Sequence, residues 1–149
     1  MIDVSIDIGQ VMGGVNAYLG RLSELHYLME EIGLVEQKKA VERIKVLKLS
    51  PDDVPWLRLG TKRTVERIED GTIEQGALWH TGALANSIQF QADKNGVEIG
   101  SSISYASNMF YGYNSPMYGD VPGRPYLGWS PTSRKDIEGL TTVFFKGLP

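Results

Sequence analysis

The chain has 149 residues, 42% of them hydrophobic and 22% charged, with a formal net charge of −3 and no cysteine. That length fits one domain with one core, and the composition excludes disorder throughout. The acidic balance speaks against a general nucleic-acid coat, and the lack of cysteine removes disulfides, thiolate metal sites and cysteine nucleophiles.

Along the chain, Ile2, Val4, Ile6 and Ile8 alternate with Asp3, Ser5 and Asp7, the period of a strand with one buried face. The same opening has acids where a signal peptide has lysines, and no run reaches the length of a membrane span, so cytosolic synthesis is expected. From Val15 to Ile32 apolar residues recur every three or four positions, which predicts a long core helix ended by Gly33. A second helix, over Ala40, Val41, Ile44 and Leu47, is expected to stop before Ser50-Pro51 and to form a hairpin with the first. Between Ser50 and Gly76 only a short helix near Thr64 to Asp70 is expected.

Thr81 is placed to cap a brief helical turn over Gly82 to Asn86. Ile88, Phe90 and Ala92, then Val97, Ile99, Ser101 and Ile103, alternate on either side of Lys94-Asn95-Gly96, which reads as a β-hairpin with a favoured turn. Residues 105–126 hold five of the seven tyrosines together with several Gly and Pro, and read as one long loop of the kind that carries function. Ile137, Leu140, Val143 and Phe144 predict a closing helix, with Ser130 and Thr132 as caps. The expected fold is α+β, one domain over residues 1–149, with a small mostly antiparallel sheet packed by two or three helices.

The chemistry-bearing residues form no catalytic pattern. His26 lies within the amphipathic helix, and His80 has no placed partner; a trio of His80, Ser87 and a carboxylate lacks the elbow motif of a hydrolase. Asp52-Asp53 and Glu30-Glu31 are adjacent pairs, not spaced metal ligands, and no phosphate-loop motif occurs. No catalytic residue, metal or cofactor is expected. Residues 38–67 hold nine basic side chains against four acids. A nucleic-acid-binding module using that stretch is the alternative to the plainer reading of a solvated helix face. Arg124, alone between Gly123 and Pro125, suits a planar hydrogen-bond anchor to a carboxylate or to carbonyls. Trp56, after Pro55, fits a satellite core residue and an interface anchor equally.

An ordered set of short motifs remains. Pro55-Trp56 and Thr61 precede Thr81-Gly82-Ala83-Leu84-Ala85-Asn86-Ser87-Ile88; a glycine-led strand then ends in Ile99-Gly100-Ser101. Tyr105, Ala106 and Gly112 follow, and Pro122, Arg124, Pro125, Tyr126, Leu127 and Gly128 close the series. This set resembles the phage virion morphogenesis family, the Mu G-like and P2 S-like tail completion proteins. Met109 and Phe110 stand where that family has histidine and glutamine. The resemblance implies a structural, non-enzymatic subunit of tail completion or head-tail joining, similar in fold to other tail-completion and neck proteins. It further implies a homo-oligomeric ring, a hexamer or dodecamer, at the head-tail or tail region of a virion or prophage-encoded particle. Its partners would be other neck, connector or tail proteins, with DNA in the lumen as a further contact and no membrane. Trp56, Tyr105, Phe110, Tyr111, Tyr113, Tyr118, Arg124 and Tyr126 are the expected interface residues.

Overall fold

The computed structural model describes residues 8–72 and 76–146, with side chains in the first helix described from Met12 onward. The predicted strand over residues 2–8 falls, except for Ile8, outside the described residues, and Ile8 itself begins a helix. Two helices follow each other almost without pause: α1 (Ile8–Ser23) and α2 (Leu25–Glu42). They are separated at Glu24, where the chain makes a tight turn from Glu24 N to Arg21 O, and Ser23 Oγ bonds back to Gly20 O at 2.7 Å. A Gly/Ser pairing of this kind is a common cause of helix interruption.

Gly33 does not end the helix. It is buried inside α2 because the Phe90 ring lies directly on it, and a Cβ at that position would overlap the ring. The expected helical hairpin is therefore a single helix running on from Leu25 into a wider π-type turn, Arg43–Leu47, which ends at Lys48 in the left-handed conformation. That stop, two residues before Ser50-Pro51, agrees with the proline signal. The short α3 (Thr61–Glu69) and α4 (Ala83–Asn86) lie where the sequence placed them. Thr81 Oγ1 accepts from Ala83 N at 3.4 Å, while Gly82, at φ 79°, occupies the cap position itself.

The predicted hairpin forms as β1 (Ile88–Asp93) and β2 (Gly96–Ser101), antiparallel, with Phe90 opposite Ile99 and Ala92 opposite Val97. These pairs put the apolar residues on the face that packs against α2. The turn is not of the positive-φ type: Lys94 and Asn95 keep negative φ, and the Asp93 carboxylate instead accepts from Asn95 N at 2.6 Å and Gly96 N at 3.0 Å. Those backbone donors hold the Asp93 carboxyl below the usual carboxylate range.

The segment expected to be one long loop contains regular structure: α5 (Ala106–Tyr111), then β3 (Gly112–Ser115) and β4 (Gly119–Pro122) paired as a second hairpin. The architecture is thus mixed helix and sheet, with two separate two-stranded sheets in place of one. The closing helix α6 (Pro131–Phe144) is capped by Ser130, whose Oγ accepts from Ser133 N at 3.0 Å; Thr132 lies inside the first turn. The core gathers Ala40, Ile44, Leu78, Leu84, Ala85, Ile88, Ala106 and Tyr126.

Candidate assembly surface

The last motif of the series, Pro122 to Gly128, is a strap threaded through the body. Arg124 is buried, and its guanidinium donates to three carbonyls: Nε to Leu57 at 3.1 Å, and the two terminal nitrogens to Pro122 and Arg58 at 3.2 Å each. Its backbone N reaches Met109 O at 2.9 Å. The carbonyls anchored in this way belong to the same subunit, as the planar donor fork of arginine favours. Burial away from water lowers the Arg124 pKa from its ordinary value.

Trp56 completes the strap from the other side, its indole N-H donating to Pro125 O at 2.9 Å while its ring packs on the core. The chain delivers Trp56 there through a tight turn at Ser50–Val54, with Asp53 at φ 60°, and through Trp56 N bonding to Lys48 O at 3.2 Å. Tyr126 is buried, donating from its hydroxyl to Ala106 O at 3.2 Å, and Arg43 donates to the Tyr126 carbonyl. Arg124, Trp56 and Tyr126, named among the expected interface residues, thus have hydrogen-bond partners inside the subunit.

The glycines of the motifs mark close backbone approaches. At Gly112, φ is 85° and an added Cβ would lie 2.6 Å from Gly123 N and Val121 O. At Gly123 it would lie 2.6 Å from Phe110 O. Together these let α5 and the β3–β4 hairpin cross the strap. Leu84 and Ala106 are core residues, Leu127 packs against them, and the Ser87 and Ser101 hydroxyls meet at 2.6 Å across the first hairpin. Gly128, at φ 142°, passes against the Pro51 ring. Met109 and Phe110 turn to the core, and the Phe110 ring meets Tyr126 edge-on at 5.5 Å.

The tip of the second hairpin is clamped onto α3. Tyr118 donates from its hydroxyl to Glu66 at 3.0 Å, Arg63 lies over its ring at 4.5 Å, and Lys62 donates to Met117 O at 3.3 Å. The Glu66 carboxylate bonded to the neutral phenol raises the Tyr118 pKa. Tyr113 and Phe110 are half-buried. What faces outward from this mounted unit is Tyr111, 80% exposed, with Met117 and Tyr105. Trp129, 48% exposed beside Leu127 and Val97, was missed by the sequence reading; its place directly after the strap was the available signal.

The basic stretch is largely engaged within the chain. Lys39 pairs with Asp136 at 2.6 Å, Lys45 lies over Trp79, and Arg67 is buried with its guanidinium on Trp79 O at 2.7 Å. With Arg43, Lys62 and Arg63 already accounted for, at least six of the nine basic residues have partners of their own. His80 is exposed, and the Ser87 hydroxyl is occupied by Leu84 O and Ser101, so no charge-relay trio is assembled. Among the described residues no group of three His, Asp or Glu could hold a metal ion, and no helix is long and apolar enough to cross a membrane.

A profile of the phage virion morphogenesis family matches residues 6–146, nearly the whole chain. The chain belongs to that family. Comparison with curated proteins and with solved structures gives no match. Membership makes this a bacteriophage protein of virion morphogenesis and suggests a virion-associated, structural role rather than a catalytic one. Of the motif residues, Gly112, Arg124 and Pro125 are those that tie the helix–hairpin unit to the body, while Gly82 lies against Trp79 and Gly128 against Pro51.

Proposed function

We propose that this virion morphogenesis protein completes the tail or joins it to the head, acting as a cyclic homo-oligomer that docks on other neck, connector or tail proteins. The observation that carries this reading is the rigid mounting of α5 and the β3–β4 hairpin. Hydrogen bonds donated by buried Arg124 and half-buried Trp56 fix the unit, so that Tyr105, Tyr111 and Met117 are presented outward without a loop having to order. Presentation of aromatic and methionine side chains on a fixed support lowers the entropic cost of docking. In a ring each subunit offers two different patches, one to each neighbour, which permits closure.

The test is a phage lacking this protein, examined by electron microscopy of its lysate. The reading expects heads and tails that accumulate unjoined, or tails without their end structure, together with the wild-type protein in purified particles. Normal infectious yield without the protein, or its absence from purified wild-type particles, removes the reading.

A further inference from the structure

Helix α1 carries Met12, Val15, Leu19 and Leu22, all between 45% and 56% exposed, at alternating spacings of three and four residues. This is the seam pattern of a helix that packs lengthwise on another helix. The same spacing continues beyond Glu24 through the half-buried His26 and Met29 to Gly33, Glu36 and Ala40, which are buried, α2 being packed against β1, β2 and α6. One face of the helical run is thus covered by its own chain in α2 and uncovered in α1.

The chemistry of α1 indicates what covers it. Arg21 is its one charged residue, and that side chain is already engaged by Glu24 at 3.5 Å and by the Phe144 ring. The positions flanking the seam, Asn16, Tyr18 and Ser23, carry no charge. A coiled-coil seam that chooses a foreign partner uses charges at these flanks, and like charges there keep identical helices apart. Here neither device exists, so two copies of α1 meet without repulsion. Glycines at 13, 14 and 20 also leave α1 a weak helix by propensity, one that gains from lateral packing.

We propose that α1 is a self-association helix, its Met12, Val15, Leu19 and Leu22 stripe turned to the ring axis in a parallel bundle, where one flank of the stripe meets each neighbouring copy. This rests on the oligomeric reading above and names the surface that reading uses. Rotational symmetry about a ring axis makes the helices of all copies equivalent and brings like residues side by side.

The chain has no cysteine, so single cysteines report on contacts cleanly. Leu19→Cys and Leu22→Cys are compared under mild oxidation with Glu98→Cys, an exposed position on β2. The mass of wild type and of the Leu19→Asp/Leu22→Asp double variant is measured by analytical ultracentrifugation, with melting temperature as a fold check. The expected result is an oligomeric wild type, a folded double variant at the 16.5 kDa of one chain, and disulfide-linked pairs at least tenfold more abundant for positions 19 and 22 than for 98. Oligomers that persist in the double variant, with no excess linkage at 19 and 22, overturn the inference alone: the stripe then faces a different virion protein or lipid, and oligomerisation uses another surface. A wild type that remains one chain at every concentration overturns the inference and the ring together.

Discussion

Arg124 Nε donates to the carbonyl of Leu57 at 3.1 Å, a bond that ties together segments 67 residues apart in the chain. Arg124 is buried and serves two further carbonyls through part-buried bonds, so losing the fork leaves three acceptors without their donor at once. Arg124→Lys keeps the charge but cannot reach three carbonyls in one plane. The expected loss is about 1.5–3 kcal/mol, the range for hydrogen bonds made by a charged group. Urea unfolding is the measurement, and a midpoint equal to wild type at equal slope contradicts the strap.

The Gly33 contact with Phe90 predicts opposite signs for two chemically identical substitutions. In Gly20→Ala an added methyl meets nothing within 4 Å, so the helix propensity of alanine raises stability by roughly 0.5–1 kcal/mol. In Gly33→Ala the same gain is outweighed by overlap with the ring, for a net loss of about 1–2 kcal/mol. Shortening the ring side chain by Phe90→Leu in the Gly33→Ala background should recover part of that loss. Equal effects at the two glycines in thermal melts would sink the packing argument.

Gly33 also shows why the sequence was legible only in part. Helix, hairpin and closing-helix periodicities came through at α2, β1–β2 and α6, because each has a face turned to the core and a face turned to water. A buried glycine beneath a ring carries the same letter as a helix-ending glycine, and only the position of Phe90, 57 residues away, tells them apart. In 105–126 the glycines and prolines read as loop punctuation; they are instead crossings and turn positions, Gly112 against Gly123 and Gly119 at φ 70°. Of the residues expected at an interface, Tyr111 is exposed whereas Arg124 and Tyr126 are buried. Alternation cannot show that Tyr126 points inward and Tyr111 outward when one lies in an irregular strap and the other at the end of a short helix.

Burial raises the Tyr126 phenol above its ordinary range. A raised folded pKa means that its contribution is fully present below the unfolded value of about 10, then falls as pH rises, because the unfolded chain releases its proton first. Tyr126→Phe removes this titration along with the bond to Ala106 O, which is worth about 1 kcal/mol at neutral pH. The stability gap between wild type and Tyr126→Phe should therefore narrow between pH 9 and the folded pKa. Gaps that stay constant over that alkaline range show that the phenol is not shielded as described.

The engaged cations make a prediction about DNA. With Lys39, Lys45, Arg43, Lys62, Arg63 and Arg67 holding partners inside the chain, few phosphate contacts can form. Titration with duplex DNA at two salt concentrations should show weak binding whose salt slope corresponds to no more than two or three neutralised phosphates. A slope of six or more would restore the basic stretch as a nucleic-acid surface.

The last prediction concerns how α6 is attached. Ser133 Oγ donates to Glu36 Oε2 at 2.8 Å, and both side chains are buried; Lys39 bonds the other carboxylate oxygen at 3.2 Å and reaches Asp136 at 2.6 Å. The carboxylate thus sits at the N-terminal end of α6, where the helix dipole favours negative charge. Ser133→Ala removes one donor and leaves an anion buried, so the expected loss is about 2 kcal/mol, more than a surface hydroxyl would cost. Glu36→Gln alone should cost a similar amount, because Lys39 then loses its ionic partner on α2 and retains Asp136. Since both changes break one network, the double variant should lose less than the sum of the two, with a coupling of about 1–2 kcal/mol. Additive losses in denaturant unfolding would mean that α6 is held by its apolar face alone, with Glu36 and Ser133 as independent neighbours.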